Sequence, residues 1–250
     1  MVQFVKDYAA TIPNTTVVAD RYNNVMIKRG TASFYPCVSA HIDSVQPIER
    51  KYAVEQMNGF LVGIAKNGTR VGFGADDKTG VYICLEMLRR FDNIAVALFS
   101  AEEIGCQGAS KIEPAFFDNV GYLIEFDCPA HDMMSYSSGG QRLFANNDEF
   151  IKTAYPVLQQ RGISKWQDHP YSDVMMLRKR FDFSCLNLSS GYYNWHQKDE
   201  LVKIADTANS LEMAEELVRA LGEKQYTFRR GEIDESAPIV PISKLVWPKP

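Results

Sequence analysis

The sequence predicts a three-layer α/β/α sandwich with a mixed, mostly parallel central sheet. Two observations carry this. Apolar, strand-like runs alternate with helix-periodic ones along the chain. Three of those runs, "NIAVALFS", "VGYLIEFD" and "FSCLNLSS", are almost continuously apolar, as strands are when both faces of the sheet are covered. The elements follow in order. "VVADRYNNVMIKRG" reads as a hairpin turning at Tyr22-Asn23-Asn24, "YPCVSAH" as a short strand ending at His41, and "AVEQMNGFLVGI" as a second hairpin about Asn58-Gly59. "KTGVYICLEMLRRF" is a helix with the stripe Val81, Cys84, Leu85 and Leu88. "NDEFIKTAYPVLQQRG" is another, expected to kink at Pro156 and to end at Gly162. In "DTANSLEMAEELVRALG", Asp206 reads as the cap, Leu211, Ala214, Leu217 and Leu221 as the stripe, and Gly222 as the stop. Residues 1–230 are expected to form one catalytic domain, and the Pro-rich 231–250 an arm or tail.

Composition narrows the function classes. The 250 residues are 46% hydrophobic and 23% charged, with a net charge of −4. That leaves no basic field or Lys/Arg run for nucleic acid. No apolar stretch reaches membrane-spanning length, and no signal peptide is evident. The five cysteines are scattered without a CxxC pair, so they read as reduced thiols of a cytoplasmic protein.

Acids and histidines collect at the predicted strand ends, where ligands bind in such sheets. His41 and Asp43 close one strand, Glu102 and Glu103 a second, and Asp127 a third. His196 follows the fourth, and Asp76-Asp77 precede a helix. Adjacent carboxylates repel and need a compensating charge. Mixed His and Asp/Glu donors match hydrolytic zinc, and a pair of ions needs a bridging carboxylate with another acid free to act as base.

"SAHIDSV", "GADDKTG", "SAEEIGCQGA", "IEFDCPA" and "GYYNWHQKDE", in that order, resemble the zinc-dependent exopeptidase superfamily of peptidase T and leucyl aminopeptidase. The resemblance runs from about His41 to Leu201. It implies His41, Asp76, Glu103, Asp127 and His196 as ligands of two divalent ions, zinc by expectation. Asp76 would bridge the ions and join Asp77 through a cis peptide. Asp43 would orient His41, and Glu102 would be the base for a metal-bound water. Peptidase T inserts a lid domain between the Asp ligand and the last His. Here Asp127 and His196 are expected to enclose one helix, a loop and a strand, which resembles the lidless aminopeptidase branch. Such enzymes carry a Tyr three residues before Ser-Asp-His. In "HPYSDV" that place belongs to His169, the candidate substrate-contacting donor, and Val174 stands where the last His would be.

The activity implied is removal of N-terminal residues from peptides. The same cage also serves carboxypeptidase, dipeptidase and N-acyl amino acid deacylase chemistry, and an inactive metal-binding relative would retain it. A peptide or small amide is the expected partner. The oligomeric state is not legible in the sequence.

Overall fold

Strands buried along their whole length need cover on both faces, and four runs of the chain have that property. The computed structural model describes residues 1–45, 51–146, 148–169 and 171–229, so the expected arm at 231–250 lies outside the described residues. The chain begins α1 (Val2–Ala10), β1 (Thr15–Ala19), β2 (Val25–Arg29), β3 (Tyr35–His41), β4 (Tyr52–Met57), β5 (Phe60–Ala65), β6 (Arg70–Val71), α2 (Ala75–Arg90) and β7 (Ile94–Phe99). It continues α3 (Gln107–Lys111), β8 (Val120–Cys128), β9 (Met133–Ser138), β10 (Gln141–Arg142), α4 (Glu149–Gln160), β11 (Lys165–His169) and α5 (Asp173–Arg178). The last elements are β12 (Cys185–Ser189), β13 (Tyr192–Tyr193), β14 (Leu201–Lys203) and α6 (Ile204–Leu221).

The main sheet has the order β1-β2-β7-β3-β8-β12-β9-β10, with β11 also paired to β9. β7, β3, β8 and β12 form a parallel centre, whereas β1, β2, β9 and β10 flank it in antiparallel pairs. Every residue of the four central strands is buried. α1, α2, α4 and α6 pack as one set, and the short α3 and α5 pair with each other. The α2 stripe Val81, Cys84, Leu85 and Leu88 is buried, as is the α6 stripe Leu211, Ala214, Leu217 and Leu221. At about 1.5–3 kcal/mol for each large apolar side chain, these stripes fasten the helices to the sheet.

Both predicted hairpins form, with Asn23 and Asn58 at positive φ in their turns. Two expectations change. Asp206 does not cap α6: the chain passes from β14 into the helix at Lys203. The Asp206 carboxylate instead accepts from the Tyr193 hydroxyl and pairs with Lys203 at 3.1 Å. Pro156 lies inside α4, as expected, and the helix runs to Gln160. Between Asp127 and His196 there are two helices and five strands rather than one helix and one strand. Four of those strands join the main sheet, so the segment widens the sheet and forms no separate lid among the described residues. β13, β14, β5, β4 and β6 make a smaller antiparallel sheet that the sequence did not reveal.

Candidate metal centre

Because β3, β7 and β8 run parallel, their C-terminal ends share one edge of the sheet. His41 ends β3, Glu102 and Glu103 follow β7, and Asp127 is the penultimate residue of β8. Asp76 enters from the first turn of α2, where it and Asp77 have non-helical backbone angles and share a cis peptide bond. His196 lies beyond β13 at φ +61°, a left-handed conformation uncommon outside glycine and found at functional sites.

The two oxygens of Asp76 face opposite ways. Oδ1 lies 3.0 Å from His41 Nε2, and Oδ2 lies 3.2 Å from His196 Nε2. Around His41 Nε2, Asp127 Oδ1 stands at 3.4 Å. Around His196 Nε2, Glu103 Oε1 stands at 3.1 Å. The five residues thus form two half-cages that share Asp76. His41 Nδ1 faces Asp43 Oδ1 at 3.5 Å, and the Asp43 carboxylate also accepts the backbone N–H groups of Glu102 (3.1 Å) and Glu103 (3.2 Å). Asp43 therefore ties the ring of one predicted ligand to the loop that bears the two glutamates. Asp77 also comes within ligand range of His41 and Asp127, but its carboxylate accepts from the amides of His41 and Gly80.

Electrostatics show what the cluster lacks. Burial, then the nearby Asp127 charge, pushes the Glu102 carboxyl up to about 8. Glu103 is raised by burial and by Asp76, and Asp127 by burial. Burial works against the Asp76 charge too, but hydrogen bonds from His196 and His41 overcome it and bring Asp76 down to about 2. The Asp76 hydrogen bond, with the Glu103 charge, pushes His196 up to about 9. Burial opposes the charged form of His41, yet the carboxylates of Asp127, Asp43 and Asp76 raise it well above its ordinary value. Burial likewise raises Asp43, but the His41 contact and the two amides outweigh it, and the carboxyl falls below its usual range. Five acids and two imidazoles converge with no Lys or Arg between them, and protons stand in for the missing positive charge. A hard-to-borderline divalent cation fits this donor set.

The centre opens into a cavity of about 570 Å³. Its floor is Asp76, Glu102, Glu103, Asp127 and His196; Met133, Tyr192 and Trp195 supply apolar and aromatic wall. Asp168, His169 and Tyr171 line another part. His169 Nδ1 meets the Tyr171 carbonyl. No Lys or Arg is among the described lining residues.

Several supporting residues escaped sequence reasoning. Asn187 accepts the Asp127 N–H at 3.0 Å, and the Cys106 thiol donates to Glu102 Oε1 at 3.5 Å. Glu125 and Asp173, both buried, carry carboxyls that burial pushes well up. Only the placement of Cys106 four residues after Glu102 was a usable signal.

Three comparisons bear on these residues. Among curated proteins none matches the chain. Among solved structures, the aminopeptidase PepT from Bacillus cereus superposes with a TM-score of 0.70 at 12% identity, covering 88% of this chain and 92% of that one. A tripeptidase from Staphylococcus aureus gives 0.71 at 13%, covering 87% and 91%. The TET1 peptidase of Pyrococcus horikoshii gives 0.60 at 12%, covering 86% and 91%. At such identities the likeness is one of fold. The family model described as peptidase family M28 matches residues 24–221, which include all five predicted ligands and Glu102. The chain belongs to peptidase family M28 and is a metallo-exopeptidase.

Proposed function

We propose that residues 1–230 form one catalytic domain that removes N-terminal residues from peptides with two divalent ions, zinc by preference. His41 and Asp127 would hold one ion, Glu103 and His196 the other, and Asp76 both. Bound there, the ions would supply the positive charge that acidifies water and polarises an amide carbonyl. The chain's own residues do the rest. Glu102, beside the ligands but outside the two half-cages, takes the proton of the attacking water and hands it to the leaving amine. Asp43 fixes the tautomer and tilt of His41. His169 faces the developing oxyanion as donor. Five free, buried cysteines support work in a reducing compartment such as the cytoplasm, and no described helix is long and apolar enough to cross a membrane.

One observation carries the choice of the amino end. A C-terminal carboxylate is ordinarily held by Arg or Lys, and the described cavity lining has neither but does have Asp168 as an acid outside the metal cage. That lining suits a terminal ammonium. The test is hydrolysis of one peptide in four forms, with each end free or blocked. Acetylating the amine should abolish cleavage, and amidating the carboxylate should change it little. Preferential cleavage of the acetylated form would move the chain to deacylase or carboxypeptidase chemistry. Metal analysis of the same preparation should find about two ions per chain.

A further inference from the structure

The loop that delivers Asp76 has an unusual need. Residues 73–76 precede the regular turns of α2, and the backbone angles of Asp76 and Asp77 are not helical. Their N–H groups have no carbonyl of a preceding turn to meet, yet Phe73, Gly74 and Asp76 are all buried. Buried donors must be satisfied. One side chain meets three of them. Glu200, 3% exposed, accepts the N–H groups of Phe73 and Gly74 on Oε2, each at 2.8 Å, and that of Asp76 on Oε1 at 3.3 Å.

Glu200 stands at the base of another loop, the one that delivers His196. Its own N–H donates to the Gln197 carbonyl at 3.3 Å. Asn194 closes the same loop by donating to the Asp199 carboxylate at 3.0 Å. From the smaller sheet, Arg70 Nη2 donates to the carbonyls of Asp199 and Glu200, both at 3.0 Å. A continuous run of hydrogen bonds therefore joins β6, the His196 loop and the Asp76 loop, and Glu200 is its middle member. The two side chains so delivered meet at 3.2 Å, Asp76 Oδ2 to His196 Nε2.

We propose that Glu200 is a positioning residue that sets the separation of Asp76 and His196, and so the affinity of the ion they share. This rests on the ligand set proposed above. Glu200 touches neither substrate nor reacting atoms; it acts through the backbone of Asp76. A carboxylate is required because all three partners are donors. In Glu200→Gln the amide oxygen can keep Phe73 and Gly74, but its NH₂ then confronts the N–H of Asp76, donor against donor, and Asp76 must shift. In Glu200→Asp the charge remains and the reach shortens by one methylene.

The experiment measures zinc affinity of wild type, Glu200→Gln and Glu200→Asp by competition with a chromophoric chelator, together with thermal unfolding at saturating zinc and steady-state kinetics. In Glu200→Gln the ion shared by Asp76 and His196 should lose about 10–100-fold in affinity, with Glu200→Asp between it and wild type. Turnover at limiting zinc should fall through kcat with KM unchanged, and excess zinc should restore it. Wild-type zinc affinity in either folded variant would overturn the proposal. So would an equal loss of both ions accompanied by a lower unfolding midpoint at saturating zinc, which marks a merely structural role. Should Glu200→Gln fail to fold, Glu200→Asp decides on the same readings. A wild-type chain that takes up only one ion would sink the two-ion reading, and Glu200 would then be judged on the affinity of that ion.

Discussion

At the scale of single residues, Glu102 and Glu103 are neighbours in sequence with different surroundings. Glu103 Oε1 meets His196, whereas Glu102 meets the thiol of Cys106 and the cavity. Glu102→Gln, which keeps size and removes the base, should abolish almost all turnover while the chain retains its metal. Glu103→Gln should instead release metal; the opposite outcome would exchange their roles. His169 presents a subtler case. Its Nδ1 is set against the Tyr171 carbonyl, which can only accept, so Nδ1 holds the proton and neutral Nε2 holds none. Donation from Nε2 to an oxyanion then needs the imidazolium form. His169→Ala should lower kcat roughly a hundredfold with metal content intact. Tyr171→Phe keeps the carbonyl and should cost little. An unchanged kcat in His169→Ala would remove that ring from the mechanism. The residues that the sequence singled out and the fold brings together are those whose type announces chemistry at a strand end. Glu200 and Asn187 were hidden because their role is to receive backbone N–H groups, a task that leaves no mark in residue type.

At the scale of elements, the seating of α2 on β8 decides how Asp76 and Asp77 lie relative to Asp127. Gly80 marks the closest approach: a Cβ there would come within 2.4 Å of both Asp77 Oδ2 and the Phe126 carbonyl oxygen. The Gly80 N–H also donates to Asp77 Oδ1 at 3.0 Å. Gly80→Ala should therefore push the helix off the strand beside the site, at a cost of about 1–3 kcal/mol. A thermal scan with metal analysis should show a midpoint several degrees lower and reduced metal retention; wild-type values in both would mean that the interface yields without disturbing the site. Elements with strong local signals were legible, notably the two hairpins with Asn at positive φ and the striped helices α2 and α6. β13, β14 and β6 were not. Each is only two or three residues long, too short for any period; β14 and β6 form against β5, and β13 against β14. Asp206 misled for a related reason: the cap signal was present, but Tyr193 and Lys203 had first claim on its carboxylate.

At the scale of the whole molecule, the cage makes metal-free stability depend on pH with a definite sign. Folded Glu102 keeps its proton up to about 8, whereas its ordinary value is 4.5. Between those values the folded state binds more protons than the unfolded one, so raising the pH favours unfolding. His196 acts in the same direction. Its contribution is complete below 6.5 and is lost as the pH rises through about 9. Asp76, held at about 2, contributes across this whole range and fails only in stronger acid. In a chelator, the thermal midpoint should thus fall from about pH 5 to pH 9. Zinc competes with those protons, so its stabilisation should grow with pH and flatten or reverse the slope. A metal-free midpoint that rises across the window would contradict the account of an acid-rich cage held by protons.

The order of the ligands along the chain has a consequence for synthesis. His41, Asp76, Glu103 and Asp127 leave the ribosome well before His196, and β12, the strand that completes the parallel centre, comes only shortly before it. A growing chain can begin to lay down β3, β7 and β8 while one half-cage still lacks its histidine. Domains take shape as units during translation, and here the unit closes late. The proposed ligand set would thereby stay incomplete until β12 and the loop behind it have been made.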